Sequence, residues 1–297
     1  MHHSVTKALR IAGIGRDRIR RITVDDAFRL PVDQLRTLVR ADRAAGLTPF
    51  FVCGSAGTVN TGSVDALGEI AAVAREEGLW FHVDAAYGGC FRMLPELAAT
   101  LAGIEGADSI AVAPHKGLFL AYGTGALLVK DLDDLRRAFS EEAEYLPNLR
   151  DEADGLDFAP LSPELSRDWR GLRLWLPFKL HGIEQFRAAL AEKRRLALDL
   201  YDGLHKRADV EIPARPELSL FAFRRRWPNA TLEEENRGNE LLLTRINQPR
   251  RVFLTSTRIE GRVFIRLCIL HLRTDKKRVR EAASIITEAL DSLPAHP

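Results

Sequence analysis

The sequence predicts an α/β chain, with a large domain on a mostly parallel sheet and a small C-terminal α+β domain. Three observations predict it. Apolar runs at 49–53 and 80–84 flank a helical pattern, a β–α–β unit with an expected right-handed crossover, and a further apolar run follows at 109–112. A long helical stretch from Leu172 to about Arg207, bent near Pro177 and Gly182, separates that region from the rest. Beyond it, strands and helices lose the regular alternation. The expected division is 1–178 for the large domain, with a mobile loop over 145–168, and 179–297 for the linking helix and small domain.

Taken in order, residues 2–12 read as a helix with Val5, Leu9 and Ile11 on one side, stopped by Gly13 and Gly15. Ile19 to Val24 is expected as a strand. Pro31 suits the first position of a helix whose apolar residues Leu35, Leu38 and Val39 run to about Ala44. The strand Pro49 to Cys53 leads into a Gly-rich turn, GSAGTVNTG. Asp65 or Ser63 is expected to cap a helix with Leu67, Ile70, Val73 and Ala74 on its apolar face, ending before Gly78. Strands follow at Trp80–Asp84, Ser109–Val112 and Gly125–Val129, then a helix over Asp131–Glu144. Residues 145–168 hold three prolines and several acids without a period, and long loops of this kind are usually functional. In the last third, strands are expected at Leu218–Arg224, Val252–Thr255 and Val263–Leu270. Helices are expected at Glu240–Ile246 and Asp275–Leu293, the last capped by Thr274.

Composition narrows the function. With 46% hydrophobic and 28% charged residues, the chain has an ordinary globular make-up. A net charge of +2 gives no basis for nucleic-acid binding, and the basic run Arg224–Arg226 is expected on a solvated face. No apolar stretch reaches the length of a membrane span, and MHHSVTKALRIAG lacks the apolar core of a signal peptide. Cys53, Cys90 and Cys268 are far apart and odd in number, so they read as reduced core thiols in a cytoplasmic protein, with no zinc site.

Two stretches hold the chemistry. DSIAVAPHKG places Lys116 straight after an apolar strand, next to Leu118, Phe119 and Leu120. A lysine in apolar surroundings has a lowered pKa and acts as a nucleophilic amine, which imine formation requires. A strand-end lysine that reaches out to water is the competing reading. WFHVDAAYGG places Asp84 on a strand, with His82 and Ala86 on its face. A buried carboxylate needs a cation, and Ala85, Ala86, Gly88 and Gly89 are expected to leave open space beside it. A protonated pyridine ring above Ala86 meets both needs; a cap or a plain buried acceptor is the alternative. A lysine with an acidic partner for a pyridinium is the pattern of pyridoxal 5'-phosphate (PLP) chemistry. Thr58, Asn60 and Thr61 lie in a turn at the sheet edge where α/β folds bind ligands, although turn chemistry explains them too.

HVDAAYGG, then DSIAVAPHKG and YGTGALLVKD, and later SPELSRDWRGLRLWLPFKLHG, occur in one order. In this the chain resembles the PLP-dependent group II amino-acid decarboxylases, which include the aromatic-amino-acid, histidine and glutamate enzymes. The resemblance covers most of the chain and implies a fold-type-I PLP-transferase-like large domain. It implies Lys116 as the cofactor lysine, Asp84 as the partner of the ring nitrogen, and His115, Ala86 and Thr58 near the cofactor. HHSVTKA matches the context of the family's ring-stacking histidine, which makes His2 the equivalent, against a tag-like end as the alternative. Arg266, in VFIRLCIL, is implied near the substrate, with a salt bridge inside the small domain as the competing role. A homodimer and an amino-acid substrate are implied as well.

The sequence departs from the family in three ways. The chain is expected to be N-terminally truncated, because the family's phosphate-gripping turn and dimer-building helices lie upstream of the His2 equivalent. Ala113 stands where the family often has a polar residue, and Val59 where a second threonine is common. Phe158 falls where the aromatic decarboxylases place a proton-donating tyrosine; in relatives with phenylalanine there, oxidative deamination to an aldehyde can compete with simple decarboxylation. The expected function is amino-acid decarboxylation through Lys116. The alternatives are a non-catalytic or cofactor-poor fragment, an aldehyde synthase, or an aminotransferase-like enzyme.

Overall fold

The computed structural model describes residues 2–140 and 158–294. Two four-stranded sheets organise them. The first holds β1 (Phe51–Ser55), β2 (Trp80–Ala85), β3 (Ser109–Val112) and β4 (Ala126–Val129), in that spatial order. β1, β2 and β3 are parallel, and β4 pairs antiparallel with β3. The register aligns Cys53 with His82 and Ser55 with Asp84, then His82 with Ser109 and Asp84 with Ala111. Side chains alternate along each strand, so these residues share one face, while Val52, Gly54, Phe81, Val83 and Ala85 share the other.

The second face is the core side. A helix, α3 (Leu67–Glu77), lies so close to it that a Cβ on Gly54 would meet Phe81, Leu67 and Ile70 at 3.2–3.4 Å. The helix ends, as the sequence predicts, at Gly78, whose φ of 63° is left-handed. Upstream, α1 (His3–Ile11) has no buried residue, and α2 (Val32–Ala44) buries Leu35 and Val39. On the opposite sheet face Cys53, His82, Asp84 and Ala86 are all half-buried. A short helix, α4 (Pro114–Gly117), follows β3; α5 (Leu132–Phe139) follows β4; and α6 (Leu172–His181) leads into α7 (Ile183–His205).

The second sheet contains β5 (Val210–Glu211), β6 (Leu220–Arg225), β7 (Thr255–Ile259) and β8 (Arg262–Cys268), all antiparallel and ordered β5-β6-β8-β7. Phe221, Phe223, Ile265 and Leu267 pack there against Leu242 and Ile246 of α8 (Leu232–Asn247) and Ile286 and Leu290 of α9 (Lys276–Asp291). α7 serves both cores: Phe186 and Leu190 enter the first, and Leu196, Leu200 and Leu204 the second.

Several expectations shift. Residues 19–24 form no strand: Ile19 and Ile22, three apart, are the half-buried positions, a spacing no pleat provides. β1 starts two residues late and runs on to Ser55. Neither Ser63 nor Asp65 caps α3. The Asp65 carboxylate instead accepts from the Leu30 and Ser55 amides at 2.8 and 2.7 Å. The strand expected at 252–255 lies at Thr255–Ile259, because Glu260 and Gly261 (φ 50° and 78°) make a tight hairpin to β8. α8 starts eight residues early, on a capping box between Thr231 and Glu234. α9 is capped by Asp275, not Thr274, and the linking helix breaks at Gly182 but passes through Pro177. Arg224 is not solvated; it is 1% exposed and pairs with Glu211 and Glu235. Cys268 is exposed, not a core thiol, whereas Cys90 is buried. Of the loop expected at 145–168, residues 145–157 lie outside the described residues, as does the end of the helix expected at 131–144; Ala159–Leu161 form one 3-10 turn. No described helix is long and apolar enough to cross a membrane.

Candidate active site

The site lies where the parallel strands end. β2 and β3 finish level, Ala85 opposite Val112, so the turns after them occupy one edge of the sheet. Pro114 opens α4 and the Lys116 amide returns to the Ala113 carbonyl at 2.8 Å, which turns the chain sharply at that edge. Gly117 is obligatory for this seat: a Cβ there would lie 2.6 Å from the Cys90 Cβ. Lys116 is half-buried, and its ammonium has no hydrogen bond or ion pair among the described residues.

Asp84 is half-buried one residue before the end of β2. Its Oδ1 accepts from the Ala86 amide at 3.2 Å, and no cation pairs with it among the described residues. Ala86 is the small residue that stays partly open on this face. Ala85 is fully buried, and Gly88 and Gly89 serve close packing, not space. A Cβ on Gly88 would sit 2.1 Å from the Ala56 carbonyl oxygen, and one on Gly89 2.9 Å from the Ala85 Cβ.

His2 joins these two. It caps α1, with Nδ1 accepting from the Ser4 amide at 3.2 Å, and its ring lies 4.2 Å from that of His3. Burial pushes the imidazole pKa below its ordinary value, and the charges of His3 and Lys116 add to this, while Asp84 pulls the other way. One ring therefore feels both the carboxylate of β2 and the amine after β3.

The other candidates have local duties. His115 lies 2.7 Å through Nδ1 from the Thr124 carbonyl; a carbonyl only accepts, so Nδ1 donates. The Thr58 hydroxyl is 2.8 Å from that of Thr61 and 3.0 Å from that of Ser63, which donates to the Phe28 carbonyl. Asn60 is exposed at the tip of this turn. Arg266 makes no salt bridge among the described residues. Its Nε donates to the Val59 carbonyl, tying the second sheet to the Thr58 turn. Phe158 is 57% exposed, and no hydrogen bond or ring contact joins it to His2, Asp84 or Lys116.

Sequence reasoning passed over Tyr87. It is buried next to Ala86, and its hydroxyl meets the Ser219 Oγ at 3.0 Å and the Ser219 amide at 2.9 Å. The signal was a tyrosine wedged between alanines and glycines. Ser219 had none, since its partner is 132 residues away.

The donor set suits a PLP group. Among the described residues, an amine and a carboxylate without a side-chain partner lie at one sheet edge with a small residue next to the carboxylate, and these would suit the aldehyde, the ring nitrogen and one ring face of that cofactor. The site also fits the chain's relatives. Residues 1–226 match the model of the pyridoxal-dependent decarboxylase conserved domain. The chain is 34% identical to an aromatic-L-amino-acid decarboxylase of Bacillus atrophaeus over 276 residues, covering 92% of this chain and 57% of that protein. It is 32% identical to a phenylacetaldehyde synthase of Arabidopsis thaliana, covering 97% of this chain and 59% of the relative. The crystal structure of Oryza sativa TDC with PLP and tryptamine superposes with a TM-score of 0.92 at 29% identity, covering 98% of this chain and 61% of that one. The chain thus spans about three fifths of the length of the proteins it matches. Because the family match runs through both the Asp84 strand and the Lys116 turn, this chain belongs to the pyridoxal-dependent decarboxylase family.

Proposed function

We propose that this chain holds the cofactor-binding core of a PLP-dependent decarboxylase acting on aromatic L-amino acids. The observation that carries the proposal is that β2 and β3 end level, so Asp84 and Lys116 lie at one edge of the sheet, with neither charge paired to another side chain among the described residues. Lys116 would hold the cofactor through its amine and would serve as a base or acid at the substrate carbon. Asp84 holds a proton on the ring nitrogen through a charge-assisted hydrogen bond of roughly 1.5–3 kcal/mol. Ala86 leaves one ring face uncrowded, and His2 covers the other. When bound, PLP supplies the electron sink for the bond that loses carbon dioxide. The family resemblance supports roles for Thr58 and His115 beside the cofactor and for Arg266 and Phe158 toward the substrate. The names of the relatives support an aromatic substrate.

The test is direct. Protein mixed with PLP is expected to develop the visible absorbance of a lysine-bound cofactor, lost in Lys116→Ala. A colourless wild type overturns the reading and favours a cofactor-poor fragment. If colour develops, carbon dioxide and amine release from tryptophan, tyrosine and phenylalanine measures the activity. Phe158 and the phenylacetaldehyde synthase relative favour a second reading, in which aldehyde, ammonia and hydrogen peroxide appear instead of amine. The family resemblance supports a homodimer, which sedimentation tests. Three free thiols support a cytoplasmic location.

A further inference from the structure

Behind Asp84, three side chains form a chain of hydrogen bonds that the cofactor assignment does not use. The Trp80 Nε1 lies 2.9 Å from the Ser109 Oγ, and the His82 Nδ1 lies 2.8 Å from the same oxygen. Ser109 is 6% exposed, and its hydroxyl has no other partner among the described residues. One assignment gives every proton of this chain of bonds a partner within it. The indole N–H can only donate, so it occupies a lone pair of Ser109. The Ser109 hydrogen needs an acceptor, and the His82 Nδ1 is the one within reach. Nδ1 must therefore be bare, and the proton of the neutral ring sits on Nε2.

We propose that Ser109 locks His82 as a neutral imidazole, so that the Asp84 carboxylate beside it stays unshared. Protonating His82 would put a hydrogen on Nδ1 and take away the acceptor of the Ser109 O–H, which must then rotate and lose that bond. The groups facing the ring are Asp84 on its own strand, Ser109 on β3, and Phe51 and Cys53 on β1; Phe51 stacks at 6.0 Å between ring centroids. Cys53 is held as a thiol, its pKa pushed up to about 12 by burial and by Asp84, so Asp84 is the one anion at hand. Burial lowers the His82 pKa, in agreement with the lock, while Asp84 opposes this. Without the lock, an imidazolium would pair with Asp84 and compete for the charge that the ring nitrogen needs. This consequence rests on Asp84 being the pyridinium partner; the tautomer does not.

The experiment reads the ring directly. In the whole chain labelled with 15N-histidine, the His82 signals, identified by their loss in His82→Gln, are followed by long-range 1H–15N spectra from pH 5 to 8. The lock gives a neutral ring protonated on Nε2. In Ser109→Ala, His82 should titrate about one pH unit higher, and Asp84→Asn in the same chain should cancel that rise. Ser109→Thr keeps a hydroxyl and should restore the wild-type pattern, which separates the lock from a folding defect. A proton on Nδ1, or a Ser109→Ala titration identical to wild type, overturns the proposal. Equilibrium dialysis with PLP at pH 6 should show affinity on the order of tenfold weaker in Ser109→Ala, with the difference gone at pH 8. An equal loss at both pH values overturns the link to Asp84. If wild type binds no PLP at all, the cofactor reading falls, and the spectra alone still decide the lock.

Discussion

At the residue scale, burial decides what His82 and His2 can do. Burial lowers the pKa of both rings. Below the ordinary histidine pKa near 6.5, an unfolded imidazole binds a proton that the folded ring refuses. The unfolded state then holds more protons, so stability rises with pH through that window and falls on acidification. The melting temperature is expected to drop between pH 7.5 and 5.5, and His82→Gln should flatten part of that drop in a thermal scan. Asp84 and Lys116 were legible in the sequence because each breaks its local rule, a charge set within or right after an apolar strand. The role of Ser109 was not, because its two partners come from another strand 27 and 29 residues away.

At the element scale, the turn from β1 to α3 depends on Asp65. Its carboxylate satisfies the Ser55 and Leu30 amides, and burial raises its pKa, so ionising it in place has a cost. Asp65→Ala leaves both amides bare. It is expected to destabilise the chain by about 1–3 kcal/mol in urea unfolding and to loosen the Thr58 turn. The sequence offered Asp65 as a helix cap, a reasonable reading of an acid two residues before a helix. The loop instead folds back across β1, and the carboxylate takes the nearer amides. The hairpin at Glu260–Gly261 was not read from the sequence, and it sets β7 at Thr255–Ile259 instead of 252–255.

At the scale of the whole molecule, a few contacts couple the two sheets and shape the site edge. Tyr87 bonds Ser219, Arg266 bonds the Val59 carbonyl, and Glu217 accepts from Arg29 and from the Val64 amide at 3.0 Å. We place the boundary between domains in α7, which feeds both cores. Tyr87→Phe strands the hydroxyl and amide of a fully buried Ser219. It should cost about 1–3 kcal/mol and broaden the urea transition as the two cores uncouple, which circular dichroism and tryptophan fluorescence would report as separate midpoints. Coincident midpoints at wild-type stability would show that the packing of Leu218 and Leu220 alone holds the sheets together.

By itself the sequence determined the alternation of strands and helices, the lysine and carboxylate at the strand ends, and the family. These depend on periodicity and on charges out of place, which neighbours in the chain reveal. Tertiary structure alone decided which acids cap and which bridge, that Arg224 is buried, and that Ser109 joins Trp80 and His82. Those outcomes depend on strand register and on contacts between residues far apart in sequence, where no local pattern records the partner.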